Sequence, residues 1–249
     1  MDPIAFEIGP ISVRWYGVLI STSVAIGIIL AYREAIRQKI DPENVLNIAL
    51  FAIPAAFIGA RLYYVIFRWN DYFRFHPEDI IAVWQGGLAI HGGVLGGVLA
   101  GYFVVRKYNL NFWKMADIIA PSLILGNAIG RWGNFFNQEA YGFATDVPWA
   151  MYIAGAYRHP TFLYESILSI CIFAYLMYRR YQPNTRQGEI FASYLIIYSM
   201  GRIIIEFFRT DSLMLGPLMM AQVMSITLII AGVLIYYFKV KNAPKYNVN

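Results

Sequence analysis

The chain has 249 residues, of which 59% are hydrophobic and only 14% are charged. Soluble domains carry roughly a quarter charged residues, so this composition excludes an ordinary soluble domain and points to a membrane protein. The single cysteine, Cys171, excludes a disulfide framework and a cysteine-based metal site. The net charge of +5 reads as membrane topology rather than nucleic-acid binding, because the cations cluster between apolar runs.

Seven apolar runs read as membrane spans, which need about 17–25 residues. In chain order they are Tyr16–Tyr32, Val45–Phe67, Leu88–Val105, Met115–Ile129, Phe162–Tyr178, Ile190–Phe208 and Leu218–Phe238. The fourth is the shortest and is expected to borrow residues at its ends. The first does not read as a cleavable signal: Asp2 and Glu7 precede it and no small-residue cleavage site follows. The expected fold is an all-α polytopic membrane protein, a single domain over 1–249. Outer loops of about 68–87 and 131–161 would form a small external cap.

Lys and Arg set the orientation. Alternate inter-span segments and the C-terminal tail hold 12 of them, including every lysine, whereas the opposite side holds 6 arginines. Basic residues favour the cytoplasmic side, so the N-terminus is expected outside and the C-terminus in the cytoplasm.

This topology places the unusual polar residues at one depth. Tyr16 stands at the outer mouth of the first span, and His91 about one turn into the third. Arg131 ends the fourth, while Arg61 sits in the outer half of the second. Arg202 lies about twelve residues into the sixth, roughly 18 Å along a helix. Ionisable groups at such depth cost a few kcal/mol unless paired or facing a wet cavity, which makes them functional candidates. Plainer readings stand beside these. Arg202 and Glu206 are spaced for an internal ion pair, though Arg209 could take the acid instead. Arg61 is either a snorkelling anchor or a functional cation. Tyr16 is either a site residue or part of an aromatic belt. Gly92, Gly93, Gly96, Gly97 and Gly101 serve close helix packing or leave a groove for a lipid tail beside His91. Cys171 reads as a packing residue.

The stretch GRWGNFFNQEAYG, Gly130–Gly142, is polar where an apolar run ends. Its glycines are expected to permit turns. Asn134, Asn137 and Gln138 offer amides, Glu139 an acceptor, and Arg131 a planar donor fork suited to phosphate. The stretch reads as a site for an anionic headgroup at the outer membrane surface.

Together with RWYG (Arg14–Gly17), GARLYYV (Gly59–Val65), GGLAIHGGVLGG (Gly86–Gly97), RHPTFLYE (Arg158–Glu165) and YSMGRIIIEFFR (Tyr198–Arg209), this stretch resembles the phosphatidylglycerol–prolipoprotein diacylglyceryl transferases of bacterial inner membranes. The resemblance covers nearly the whole chain. It implies seven spans with the N-terminus outside and an active site facing the outer side of the cytoplasmic (inner) membrane. It also implies transfer of diacylglyceryl from phosphatidylglycerol to the lipobox cysteine of a prolipoprotein signal peptide, leaving a thioether and glycerol 1-phosphate. Tyr16, His91, Arg131, Asn134, Glu139, Gly142, Tyr198, Arg202 and Glu206 match positions the family treats as functional. Phe162 departs from the family, which often has Gln there.

In that reading Arg131 and Arg202 clamp the phosphate, Asn134 orients it, and fixed cations stabilise the leaving oxygen. His91 is the candidate base for the thiol, since an imidazole can accept a proton near neutral pH. No metal is expected, because His76, His91 and His159 are scattered without zinc-ligand spacing. No cofactor is expected either, because the phospholipid carries its own leaving group. The partners expected are phosphatidylglycerol, prolipoprotein signal peptides and the bilayer, with no nucleic acid. A transporter for an anionic solute is the alternative; it would favour internal repeats and midplane sites, and neither is visible. A retinal photoreceptor is excluded, since the last span has no lysine.

Overall fold

The computed structural model describes residues 2–9 and 11–246. Seven α-helices occur among them: α1 (Trp15–Arg37), α2 (Glu43–Phe67), α3 (Ile90–Lys107), α4 (Phe112–Phe136), α5 (Thr161–Arg180), α6 (Glu189–Glu206) and α7 (Met220–Ile235). Each overlaps one of the apolar runs. Four are long and apolar enough to cross a membrane: α1, α2, α5, and α7 with the π turn that extends it to Val240. The other three fall short of that measure. Glycines dilute α3, and charged residues interrupt α4 and α6.

The fold is mostly helical rather than purely so. Short antiparallel hairpins pair β1 (Ile4–Ile8) with β2 (Ile11–Arg14), β3 (Met151–Ile153) with β4 (Ala156–Arg158), and β5 (Met214–Leu215) with β6 (Leu218–Met219). All three lie between or before helices, where the backbone must find partners other than its own next turn.

The chain divides into two compact units, residues 31–115 and residues 1–30 with 116–249. In the first, α2 and α3 pack backbone to backbone. A Cβ on Gly92 would overlap the Gly59 carbonyl and Tyr63, and one on Gly96 would overlap the Ala55 carbonyl. Gly93 and Gly97 have ordinary room, with nearest atoms at 3.4 and 3.5 Å. The glycine stripe therefore serves close packing at two positions. Arg61, on α2, is buried and spoken for. Its guanidinium donates to the carbonyls of Ile80 (2.8 Å), Gly86 (2.7 Å), Gly87 (2.9 Å) and Asp79 (2.5 Å). Held in this way, it pins the loop before α3.

In the second unit, Ala120 and Ile124 of α4 pack with Ile172 and Leu176 of α5 and Ile190 of α6. Polar rungs tie α4 to α1 and α5: Ser122 Oγ donates to the Gly27 carbonyl of α1 at 2.8 Å, and Asn127 Nδ2 to Ser169 Oγ of α5 at 2.8 Å. Buried Asp117 accepts from the amides of Gly188 (2.6 Å) and Phe191 (2.8 Å), so α4 supplies the cap that α6 lacks in its own sequence. Cys171 corrects its packing assignment. It is exposed, on the face of α5 that also carries Ile167, Ile170, Tyr175 and Tyr178. Their spacing of three and four puts them on one helical stripe, which suits lipid contact.

Candidate active site

The polar stretch does not turn where its glycines suggested. Helix α4 continues through Gly130, Arg131, Gly133 and Asn134 to Phe136. Gly133 is needed for a different reason: a Cβ there would overlap the ring of Tyr16. The turn comes afterwards, at two residues that are not glycine, Gln138 (φ 53°) and Ala140 (φ 54°). Left-handed backbone at such residues is uncommon and is held here by contacts. Gln138 Oε1 accepts from the Ala154 amide at 2.9 Å, and Thr161 Oγ1 donates to the Ala140 carbonyl at 2.6 Å.

Between those residues Glu139 folds back on α4. Its Oε1 accepts from Asn134 Nδ2 (3.0 Å) and Asn137 Nδ2 (3.1 Å). Asn134 in turn receives a long contact of 3.5 Å from Arg131 Nη1. Gly142 lies where three segments meet. Its amide donates to the His159 carbonyl at 3.0 Å, and a Cβ would overlap His159 and the Phe208 carbonyl. Close packing accounts for that glycine.

Helices α5 and α6 bring in the charges. Glu165, one turn into α5, is 1% exposed. Its Oε2 lies 2.6 Å from Arg131 Nη2, and its Oε1 accepts from Arg202 Nη1 (2.6 Å) and Arg209 Nη1 (3.1 Å). Arg202 also reaches Glu206 Oε2 at 2.6 Å, so it pairs with both acids at once. Arg209 stands 4.0 Å from Glu206 and engages Asp211 through two contacts, at 3.1 and 2.8 Å. The contacts to Glu165 Oε2 and Glu206 Oε2 are ion pairs by distance that lack hydrogen-bond alignment, so charge rather than direction holds them. Arg131 Nε is buried and has no hydrogen-bond partner among the described residues. Tyr198 and Tyr16 both lie within electrostatic reach of Arg131, and Tyr16 also of Glu139.

Eight of the nine residues singled out from sequence thus fall in one unit: Tyr16, Arg131, Asn134, Glu139, Gly142, Tyr198, Arg202 and Glu206. His91 belongs to the other unit, exposed near the start of α3, with its ring 6.0 Å from that of Tyr63. Glu165 and Arg209 were not among those candidates. An acid and an arginine at the edges of apolar runs were the signals that could have found them. Phe162 fits its apolar identity: it is buried and stacks on Phe135 at 4.7 Å.

Beside the charges a cavity of about 490 Å³ is lined by Gln138, Glu139, Tyr141, Arg158, Thr210 and Asp211. The Arg158 guanidinium lies over the Tyr141 ring, 4.6 Å from its centre. His159 Nδ1 is 3.0 Å from the Tyr164 hydroxyl, which accepts from Trp149 Nε1 at 2.8 Å. In the other unit, potential ligand atoms of His76, Glu78 and Asp79 lie within 4.8 Å of one another. The group is largely exposed, and Asp79 already accepts from Tyr72 at 2.5 Å.

Comparison with known proteins gives a consistent answer. A family model described as prolipoprotein diacylglyceryl transferase matches residues 3–238. A protein of Geobacillus kaustophilus named phosphatidylglycerol–prolipoprotein diacylglyceryl transferase is 50% identical, over 95% of this chain and 92% of its own. Proteins of the same name from Bacillus licheniformis (48%; 99% of this chain, 96% of its own) and Trichormus variabilis (46%; 97% and 92%) are similar over comparable lengths.

Proposed function

This chain belongs to the prolipoprotein diacylglyceryl transferase family, and we propose that it transfers diacylglyceryl from phosphatidylglycerol to the lipobox cysteine of a prolipoprotein. A thiolate sulfur attacks the glycerol CH₂ carbon, the carbon–oxygen bond to phosphate breaks, and its electron pair leaves on glycerol 1-phosphate. The thiol proton passes to a base. The thioether-linked lipoprotein is the other product, and this would be the first step of lipoprotein maturation.

One observation carries the reading: two partly buried guanidiniums from separate helices, Arg131 and Arg202, meet on the carboxylate of Glu165, and the buried Arg131 Nε has no hydrogen-bond partner among the described residues. A buried donor without an acceptor costs about 1–3 kcal/mol, which an incoming phosphate oxygen would recover. Cations fixed in a dry site also stabilise charge that develops on the leaving oxygen, without reorganisation during reaction.

Arg131 and Arg202 are the phosphate-binding and catalytic cations in this proposal. Asn134 and Glu139 orient the headgroup beside Arg131, and Tyr16 and Tyr198 flank it. Glu206 steadies Arg202, and Gly142 lets the surrounding segments close. His91 is proposed as the base that takes the thiol proton. The reaction needs no metal or cofactor, since the leaving group comes with the lipid.

The Lys and Arg distribution supports seven spans in the cytoplasmic membrane of a bacterium, N-terminus outside, C-terminus inside and the site on the outer side. Residues 1–249 then act as one membrane domain. The loops between α2 and α3 and between α4 and α5 form the outer cap. A transporter for an anionic solute would leave the asparagine-held Glu139 without a role.

The test uses purified protein, phosphatidylglycerol vesicles and a lipobox peptide, and follows glycerol phosphate release. Release that requires the peptide thiol, and that falls about 10²–10³-fold in Arg131→Ala, is expected. Folded wild-type protein that shows no thiol-dependent release would overturn the proposal.

A further inference from the structure

Three arginines converge on one acid to which neither the sequence motifs nor the chemistry above gave a task. The carboxylate of Glu165 is held by Arg131 from α4, Arg202 from α6 and Arg209 from the segment after α6. We propose that Glu165 is a positioning residue, holding Arg131 and Arg202 side by side so that both can grip one phosphate.

The physics of the cluster requires such a group. Two guanidiniums in a poorly solvated site repel, and separate helices give them no covalent reason to stay together. Glu165 resolves this by dividing its oxygens, Oε2 toward Arg131 and Oε1 toward Arg202 and Arg209. Glu206 cannot substitute, because among these arginines it is close only to Arg202 and stands 4.0 Å from Arg209. Arg209 is drawn to the surface side by Asp211, which leaves Glu165 and Glu206 to balance Arg131 and Arg202. A guanidinium has five N–H donors and a carboxylate two oxygens, so the pairing leaves donors over for a ligand.

Glu165 is itself held in register with Arg131. The next residue, Ser166, donates to the Ala128 carbonyl at 2.9 Å and accepts from Trp132 Nε1 at 3.2 Å. Those two contacts bracket Arg131 on α4. Thr161, one turn earlier on α5, is tied to Ala140, next to Glu139, at 2.6 Å. The acid, the arginine and the headgroup-facing turn therefore form one hydrogen-bonded body.

The inference rests on the transferase reading, and the experiment separates the two. Glycerol phosphate release is measured for wild type, Glu165→Gln, Glu165→Asp, Arg131→Lys and Glu165→Gln with Arg131→Lys, each checked for monodispersity and thermal unfolding. A roughly 100-fold loss in Glu165→Gln is expected, mainly in kcat rather than in KM for phosphatidylglycerol. Glu165→Asp keeps the charge one methylene short and should recover about a tenth of wild-type activity. In the Arg131→Lys background, Glu165→Gln should add less than about threefold, because it acts through the fork already lost. Activity of folded Glu165→Gln within threefold of wild type, or losses that simply multiply, would overturn the proposal. So would failure of both Glu165 variants to fold, which would make the residue a scaffold. No turnover by wild type would instead sink the transferase reading.

Discussion

The ring of Tyr16 lies against the bare Cα of Gly133, with all three of the nearest atoms to a hypothetical Cβ belonging to that ring. The contact joins α1 to α4 two residues beyond Arg131, so a residue outside the charge cluster governs how an aromatic group approaches it. Gly133→Ala should therefore act through Tyr16. Overpacking of this kind costs typically 1–3 kcal/mol. The variant should unfold at a lower temperature and lose turnover, and adding Tyr16→Ala should restore the unfolding temperature without restoring turnover. A Gly133→Ala protein as stable as wild type would show that the two helices can part.

Arg61 makes a second prediction. Four carbonyls of the loop before α3 depend on one guanidinium. Lysine can donate to three acceptors at most and lacks the planar fork. Both Arg61→Ala and Arg61→Lys should loosen residues 79–87, with lysine the milder. Faster amide exchange or earlier proteolysis confined to that segment would register the change. Equal protection in all three proteins would mean that other contacts hold the loop.

The glycines of α3 separate into two kinds. Gly92→Ala should push α3 away from α2, lowering stability or yield, because the methyl group would meet the Gly59 carbonyl. Gly97→Ala meets only ordinary contacts at 3.5 and 3.6 Å and should be neutral or stabilising, since alanine is favoured over glycine within a helix by about 1 kcal/mol. Thermal unfolding of the two variants side by side would decide it. Equal effects would remove the backbone contact as the cause.

Much of this molecule is legible in one dimension. Each apolar run overlaps one helix, because a bilayer selects long apolar stretches, though α1 and α4 run five and seven residues past the ends read from sequence. The polar stretch at Gly130–Gly142 is visible as an anomaly for the same reason, since hydrogen-bonding groups at a span's end are costly unless used. Its shape was harder to read. Glycine suits both a turn and a close approach, and sequence spacing does not distinguish them. At Gly133 the answer was an approach by Tyr16, and the turn fell to Gln138 and Ala140, residues that carry no such signal. The surroundings of Cys171 and Arg61 were hidden for a related reason. Both sit in apolar runs, and which face of the helix they occupy depends on neighbours distant in sequence.

The sequence by itself determined that this is a membrane protein of a recognisable family and roughly where its helices run, and it marked out candidate site residues. These follow from composition, order and spacing, which need no knowledge of contacts. Only the tertiary structure decided that Glu165, rather than Glu206 alone, receives Arg202, and that Arg131 and Arg209 share the same carboxylate. Residues 131, 165, 202 and 209 lie on different segments, and no local pattern links them. An ion pair is set by distance through space, and in this chain that distance exists only once α4, α5 and α6 have packed.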